Sequence, residues 1–308
     1  MFMRRSVAAP VLAVAVLAGC STAARDGAVT PSAPAARGGV SPQAASGDLL
    51  YLSDVKTNVV YVYSYPNAKH VGTLRKFVAP RGECSSTSGD VWIADSGTYA
   101  VLEYPHGAAS PVRALNIEGV PQGCAIDPVT GDLAVSSTGT SVTVTVFHAH
   151  KKWAPFHFRD SQMTVPTFCG YDAKGNLFVD GLDKNKAFRL DELSQGGTAL
   201  GNVTIEGASI KSPGQIQWDG TYLAIGDTGV APSVVYQFSE GTSGLSEVGS
   251  TTLAGTTSVR QWWIAGSTIV GPDFGKDVGF WKYPTGGSAT KVLSAVHGYG
   301  ATLSAGTH

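Results

Sequence analysis

A glycine followed by a short apolar strand recurs six times, and this constrains the fold more than any other feature of the chain. The units begin at Gly47 (GDLLYLSD), Gly89 (GDVWIAD), Gly131 (GDLAVSS), Gly175 (GNLFVDG), Gly220 (GTYLAIGD) and Gly266 (GSTIVGPD), at spacings of 42, 42, 44, 45 and 46 residues. A polar loop and a second strand follow each, such as VVYVYSYP from Val59, AVLEYP from Ala100 and VGFWKYP from Val278. A weaker outer strand comes next (HVGTL from His70, PVRAL from Pro111). A short segment such as Pro121-Gln-Gly-Cys-Ala-Ile-Asp127 or Pro213-Gly-Gln-Ile-Gln-Trp-Asp219 then precedes the next glycine. Four strands per repeat of about 40–50 residues predict an all-β, six-bladed β-propeller over 47–308, because a lone four-stranded sheet cannot bury both its faces. Two stacked sandwiches leave a glycine at constant period unexplained. Gly298-Tyr-Gly-Ala-Thr-Leu-Ser304 has the form of an innermost strand whose three partners begin at Gly47. The C-terminal strand is therefore expected to close the first blade.

The segments Pro121–Val135 and Gly89–Asp95 resemble the NHL-repeat pattern, and the resemblance extends weakly over 47–308. Where NHL repeats carry Asn-x-Arg before the third strand, only Asn58 and Asn185-Lys-Ala-Phe-Arg189 come near it. Six-bladed families similar to it include the gluconolactonase-like lactonases, which hold a divalent metal at the channel mouth; their Glu-Gly-Pro start has no counterpart here.

The N-terminal part is of another kind. Met1 to Arg5 carry two arginines and no acid, and Val7 to Leu17 are apolar apart from Pro10. This is the layout of a secretory signal, too short for a stable span. It ends in Leu17-Ala18-Gly19-Cys20, which resembles the lipobox of bacterial lipoproteins. That resemblance implies cleavage of 1–19, acylation of Cys20 and a chain anchored to a membrane on the extracytoplasmic side of a bacterial envelope. Ser21 after the cysteine resembles the pattern that sorts such proteins to the outer membrane or cell surface. Residues 20–46, rich in Ala, Ser, Pro and Gly, are expected to be a flexible tether. No later apolar run reaches 18 residues.

Composition narrows the function. A net charge of −1 argues against a protein built to hold nucleic acid, which usually needs a basic stripe. No Gly-x-Ser-x-Gly, phosphate loop or His-Glu-x-x-His motif occurs. Propeller topology instead gathers the loops that enter the innermost strands on one face. That face is expected to carry Arg81, Glu83, Gln122, Thr167, Gln215, Arg260, Gln261, His297 and Tyr299 near the axis, with Asp54, Lys56, Asp95, Asp183, Asp227, Asp273 and Asp277 farther out. Arg81 and Arg260 together favour an anionic group, and Glu83 beside either is expected to keep its charge by pairing. The predicted site is thus a concave pocket of mixed charge for a small polar or acidic ligand.

Other groups leave alternatives open. Asp54, Asp95, Asp227 and Asp273 end the repeated strands; they are either a ring of Ca²⁺ or other divalent-metal ligands or, in the favoured alternative, turn residues accepting backbone N–H groups. Cys84, Cys124 and Cys169 occupy matching positions; apolar packing, one disulfide and a metal cluster are the three outcomes, packing leading. His148, His150 and His157 are either a metal pair with a neighbour or, preferably, solvated surface. Trp92, Trp218 and Trp281 are assigned to packing between blades, with Trp262 and Trp263 unassigned. The leading expectation is a lipid-anchored monomeric propeller that binds a small polar ligand or an envelope protein. A metal-dependent lactonase-like hydrolase using Glu83 as a carboxylate ligand comes second, and a purely structural envelope protein third.

Overall fold

The computed structural model of the chain describes residues 39–40, 46–294 and 296–306. The signal segment, Cys20 and nearly all of the tether lie outside them. Among the described residues no helix is long and apolar enough to cross a membrane.

Six antiparallel sheets form a ring, the six-bladed β-propeller that the repeat predicts. Blade 2 is typical: Pro80–Ser85 innermost, then Val91–Asp95, Ala100–Tyr104 and Arg113–Asn116 outermost. Burial falls along the same order. Val91–Asp95 is buried at every residue because blades pack on both of its faces, whereas Arg113–Asn116 is largely exposed. This explains why the second strand of each unit is a continuous apolar run rather than an alternating one. The hydrophobic clusters straddle neighbouring sheets; one joins Leu49, Tyr51 and Val62 of blade 1 to Val91, Ile93 and Tyr104 of blade 2.

The recurring glycine is a turn requirement. Gly131, Gly220 and Gly266 have φ of +76°, +104° and +57°, with open space where a Cβ would go, so backbone conformation rather than crowding demands glycine. Gly47 has no such φ. No hairpin precedes it, because the innermost strand of its blade comes from the other end of the chain.

That strand is Gly298–Ser304. It pairs antiparallel with Leu49–Asp54 in the register Leu49↔Ser304, Tyr51↔Thr302 and Leu52↔Ala301. Gly39–Val40 adds a fifth strand on the outer edge of the same sheet. Ser85 Oγ donates to Leu303 O at 2.6 Å, tying the closing strand to blade 2.

The cysteine outcome differs from the leading expectation. Cys84 and Cys124 form a disulfide between the innermost strands of blades 2 and 3, their Cα atoms 5.6 Å apart. Cys169 alone fills the apolar role: it is buried and free, and burial pushes its thiol up to about 12. A bridge across 40 residues restricts the unfolded chain by about 4 kcal/mol on the loop-closure model.

Closure by the tail makes a testable claim. Removing residues 298–308 strips blade 1 of its innermost strand and opens a seam against blades 2 and 6. The melting temperature should fall by more than about 10 °C, since each kcal/mol shifts it by about 2–4 °C at this size. A truncated protein that melts where the intact one does would show that the tail is not a latch.

Candidate functional site

The strand-end acids are structural. Each reaches back to the backbone that leads into the innermost strand of its own blade. Asp95 accepts from Val78 N and Ala79 N (3.1 and 2.7 Å), Asp227 from Lys211 N and Ser212 N (3.0 and 3.1 Å), and Asp273 from Thr257 N and Ser258 N (2.9 and 2.6 Å). Asp54 does the same across the ring closure, accepting from His297 N at 3.1 Å. Burial opposes ionisation of Asp273, but the amides of Ser258 and Thr257 hold its carboxyl below the usual range. The turn alternative therefore describes these residues, and the carboxylate ring does not. Among the described residues no group of three or more His, Cys, Asp or Glu is arranged to hold a metal ion. The histidines diverge as well: His148 Nδ1 lies 2.5 Å from Asp132 Oδ2, and His157 Nδ1 lies 3.0 Å from Thr145 Oγ1.

At the predicted mouth, four of the expected residues come together around Tyr299. The guanidinium carbons of Arg81 and Arg260, from the entries to blades 2 and 6, each lie 5.7 Å from the Tyr299 ring centre. Arg260 also stacks over Phe274 at 3.7 Å. Arg81 Nη1 donates to Gln122 Oε1, and Gln122 Nε2 is fixed by Val120 O and Thr138 Oγ1 at 3.0 and 3.1 Å. Among the described residues neither arginine has an acidic partner within ion-pair distance. Burial pushes the Tyr299 hydroxyl up, and the two guanidinium groups draw it part of the way back. Behind it, Phe168 of blade 4 meets Tyr299 of blade 1 with ring centres 6.4 Å apart. Blades 1 and 4 are opposite in a ring of six, so this buried pair closes the channel across its axis.

The remaining expected residues are elsewhere. Glu83 does not pair with an arginine. It is fully buried, both carboxyl oxygens lack a hydrogen-bond partner among the described residues, and burial pushes its pKa well above the carboxylate range. The carboxyl is turned into the packing near Tyr51 and away from the mouth, where a lactonase-like metal site would need it. Gln261 is also fully buried: its Oε1 accepts from Glu83 N at 2.9 Å and its Nε2 donates to Glu83 O at 2.5 Å. This amide clamp crosses Gly300 of blade 1, where a Cβ would lie 2.0 Å from Gln261 Oε1. His297 forms a separate trio, its Nε2 3.2 Å from Lys56 Nζ and its Nδ1 3.8 Å from Asp54 Oδ2. Thr167 Oγ1 turns back on Val165 O.

Gln215 lines a different space. A cavity of ≈ 970 Å³ occupies the other end of the channel, where the innermost strands turn into the second strands. Trp218, Trp263, Ser85, Asp90 and Asp127 contribute to its wall. The assignment of Trp92 and Trp281 to packing agrees with their exposures of 1% and 3%. Trp218 is only partly buried and belongs, with Trp263, to the cavity. A tryptophan two or three residues before the repeat glycine in two adjacent innermost strands was the available signal.

The orphaned carboxyl of Glu83 has a pH signature. Its folded pKa is raised, while the unfolded carboxyl titrates near about 4.3. Its contribution to stability is therefore full at low pH and declines as pH rises above about 4.3 toward the folded pKa. Glu83→Gln should flatten the decline in melting temperature between about pH 4.5 and 7.5 and raise stability at the upper end. An unchanged pH profile would show that Glu83 is ionised and compensated.

No protein-family model and no curated protein matches the chain. Solved structures do. A chain from the crystal structure of a nidogen/laminin complex is 13% identical and superposes with a TM-score of 0.68, covering 85% of this chain and 100% of that one. A protein of unknown function from Bacteroides caccae is 12% identical (TM-score 0.63, 84% and 99% coverage). Hydrazine synthase of Kuenenia stuttgartiensis is 13% identical (TM-score 0.59, 77% and 74% coverage). At such identities the likeness is one of fold, and the fold it gives is the propeller.

Proposed function

We propose that the chain is a monomeric binding module, held to the extracytoplasmic face of a bacterial envelope by a lipid on Cys20. Its channel mouth takes a small ligand through an anionic group. The observation that carries the ligand reading is the convergence of Arg81 and Arg260 on one tyrosine ring without an acidic partner among the described residues. Guanidinium groups match carboxylate and phosphate oxygens in charge and in planar, forked geometry. Gln122 already orients one of them and Phe274 the other, so little side-chain freedom is left to lose on binding. The small polar or acidic ligand foreseen from the sequence thus contacts Arg81, Arg260, Gln122 and Tyr299. An enzyme reading has no comparable support, because Glu83 is sequestered.

Citrate and inorganic phosphate are suitable probes in a thermal-shift titration. A ligand at a hundredfold excess over its Kd stabilises the folded state by about 2.7 kcal/mol. Saturable stabilisation by either anion should disappear in Arg81→Ala and Arg260→Ala and survive in Arg75→Ala, an exposed control. Absent stabilisation, or equal stabilisation in all four proteins, would refute the anion site.

The anchor rests on the Leu17-Ala18-Gly19-Cys20 tetrad and is tested separately. Cys20→Ala should release the protein from the membrane fraction or leave the signal uncleaved. Unchanged partitioning, with cleavage at another position, would remove the lipoprotein reading.

A further inference from the structure

We infer that the cavity at the far end of the channel binds a neutral oligosaccharide, at a site independent of the arginine mouth. Its volume of ≈ 970 Å³ is at the upper end of the range for small-molecule sites, about 300–1,000 Å³. Its wall mixes aromatic and polar groups. On one side Trp218 and Trp263, from the innermost strands of blades 5 and 6, are partly buried and line the space with indole surface. A clamp fixes their spacing: Gln217 Oε1 accepts from Ile264 N at 2.8 Å, and Gln217 Nε2 donates to Ile264 O at 3.0 Å. On the other side the hydroxyls and carboxyls of blades 2 and 3, such as Ser85, Asp90 and Asp127, alternate with apolar surface of Trp153, Pro128 and Val129.

That mixture suits a pyranose ring, whose C–H face is apolar and lies flat on an indole while its rim is all hydroxyl. Charge selects among polar ligands. Asp90, Glu103 and Asp127 line the cavity with His150, and no lysine or arginine does, so an anion is disfavoured. A cation is disfavoured too, because these carboxylates are already engaged. Asp90 accepts from Ser88 Oγ, Asp127 from Val129 N and Thr130 Oγ1, and Glu103 is paired with Arg113 at 2.7 Å. Phe168 and Tyr299 close the axis between this site and the arginines, so the two can be tested apart.

The test is tryptophan fluorescence of the folded protein titrated with maltotetraose, cellotetraose and chitotetraose, with tetragalacturonate and tetramethylammonium chloride as charged counterparts. At least one neutral tetrasaccharide should change the emission saturably. Its affinity should fall about tenfold or more in Trp218→Ala and Trp263→Ala, the loss of one aromatic platform. Arg81→Ala should leave it unchanged, which separates failure of this site from failure of the anion site. If an alanine variant does not fold, oxidation by N-bromosuccinimide gives a second readout on the intact protein: the saccharide should protect Trp218 and Trp263. A response to none of the neutral sugars, a response only to a charged probe, or binding indifferent to Trp218 and Trp263 would overturn the inference.

Discussion

The pairing of Leu49–Asp54 with Gly298–Ser304 is the contact on which the rest of the molecule depends. Five blades draw their four main strands from one stretch of chain, and only this blade joins the two ends of the ring. Bringing residues about 250 positions apart together costs roughly 5 kcal/mol of chain entropy. What offsets it is that both open edges vanish at once. Without the tail, Leu49–Asp54 would be a mostly apolar edge strand paired on one side only, which is a template for aggregation. The closing strand also reaches both ends of the channel. Tyr299 organises the arginines at one end, Gly300 lets Gln261 reach blade 2, and Leu303 lines the cavity at the other end.

Around the axis, innermost strands approach one another with exposed backbone groups that must find partners. The chain meets this with side-chain amides that imitate a strand. Gln261 gives both an acceptor and a donor to Glu83, and Gln217 does the same for Ile264. Strand-end aspartates complete the scheme by receiving the N–H groups of the incoming loops. A polar residue near the axis is therefore as often a piece of framework as a ligand contact, and this distinction decided which expected residues belong to a site.

It also separates what was legible in the residues from what was not. The glycine period revealed the fold because it encodes a local backbone need, repeated at each hairpin. The tail strand was legible because its pattern completes a blade that lacks one strand. Arg81, Arg260, Gln122 and Tyr299 could be grouped because loop topology alone assigns them to one face. Glu83 could not. The register of Pro80–Ser85 slips between Pro80 and Glu83, so a side chain two residues from Arg81 is turned into the seam with blade 1 rather than toward the mouth. The same slip precedes Cys84, whose reach to Cys124 depends on local backbone position and not on spacing. Bulges are invisible to a count of residues, and both misplacements lie just beyond one.

Phe168 and Tyr299 divide the channel into two unlike ends, one with guanidinium groups that have no acidic partner among the described residues and the other with indoles and engaged carboxyls. Occupation of one end would influence the other only through an element that both ligands bias. Gly298–Ser304 spans the two, but its main chain is fixed by Leu49–Asp54 along its length and by Ser85 and Ser53 from the side. A strand held by so many short bonds has one arrangement available, not two, and packed interiors of this kind do not deform continuously. The closure that makes the ring stable therefore also isolates its ends: binding at one of the two proposed sites should leave affinity at the other unaltered.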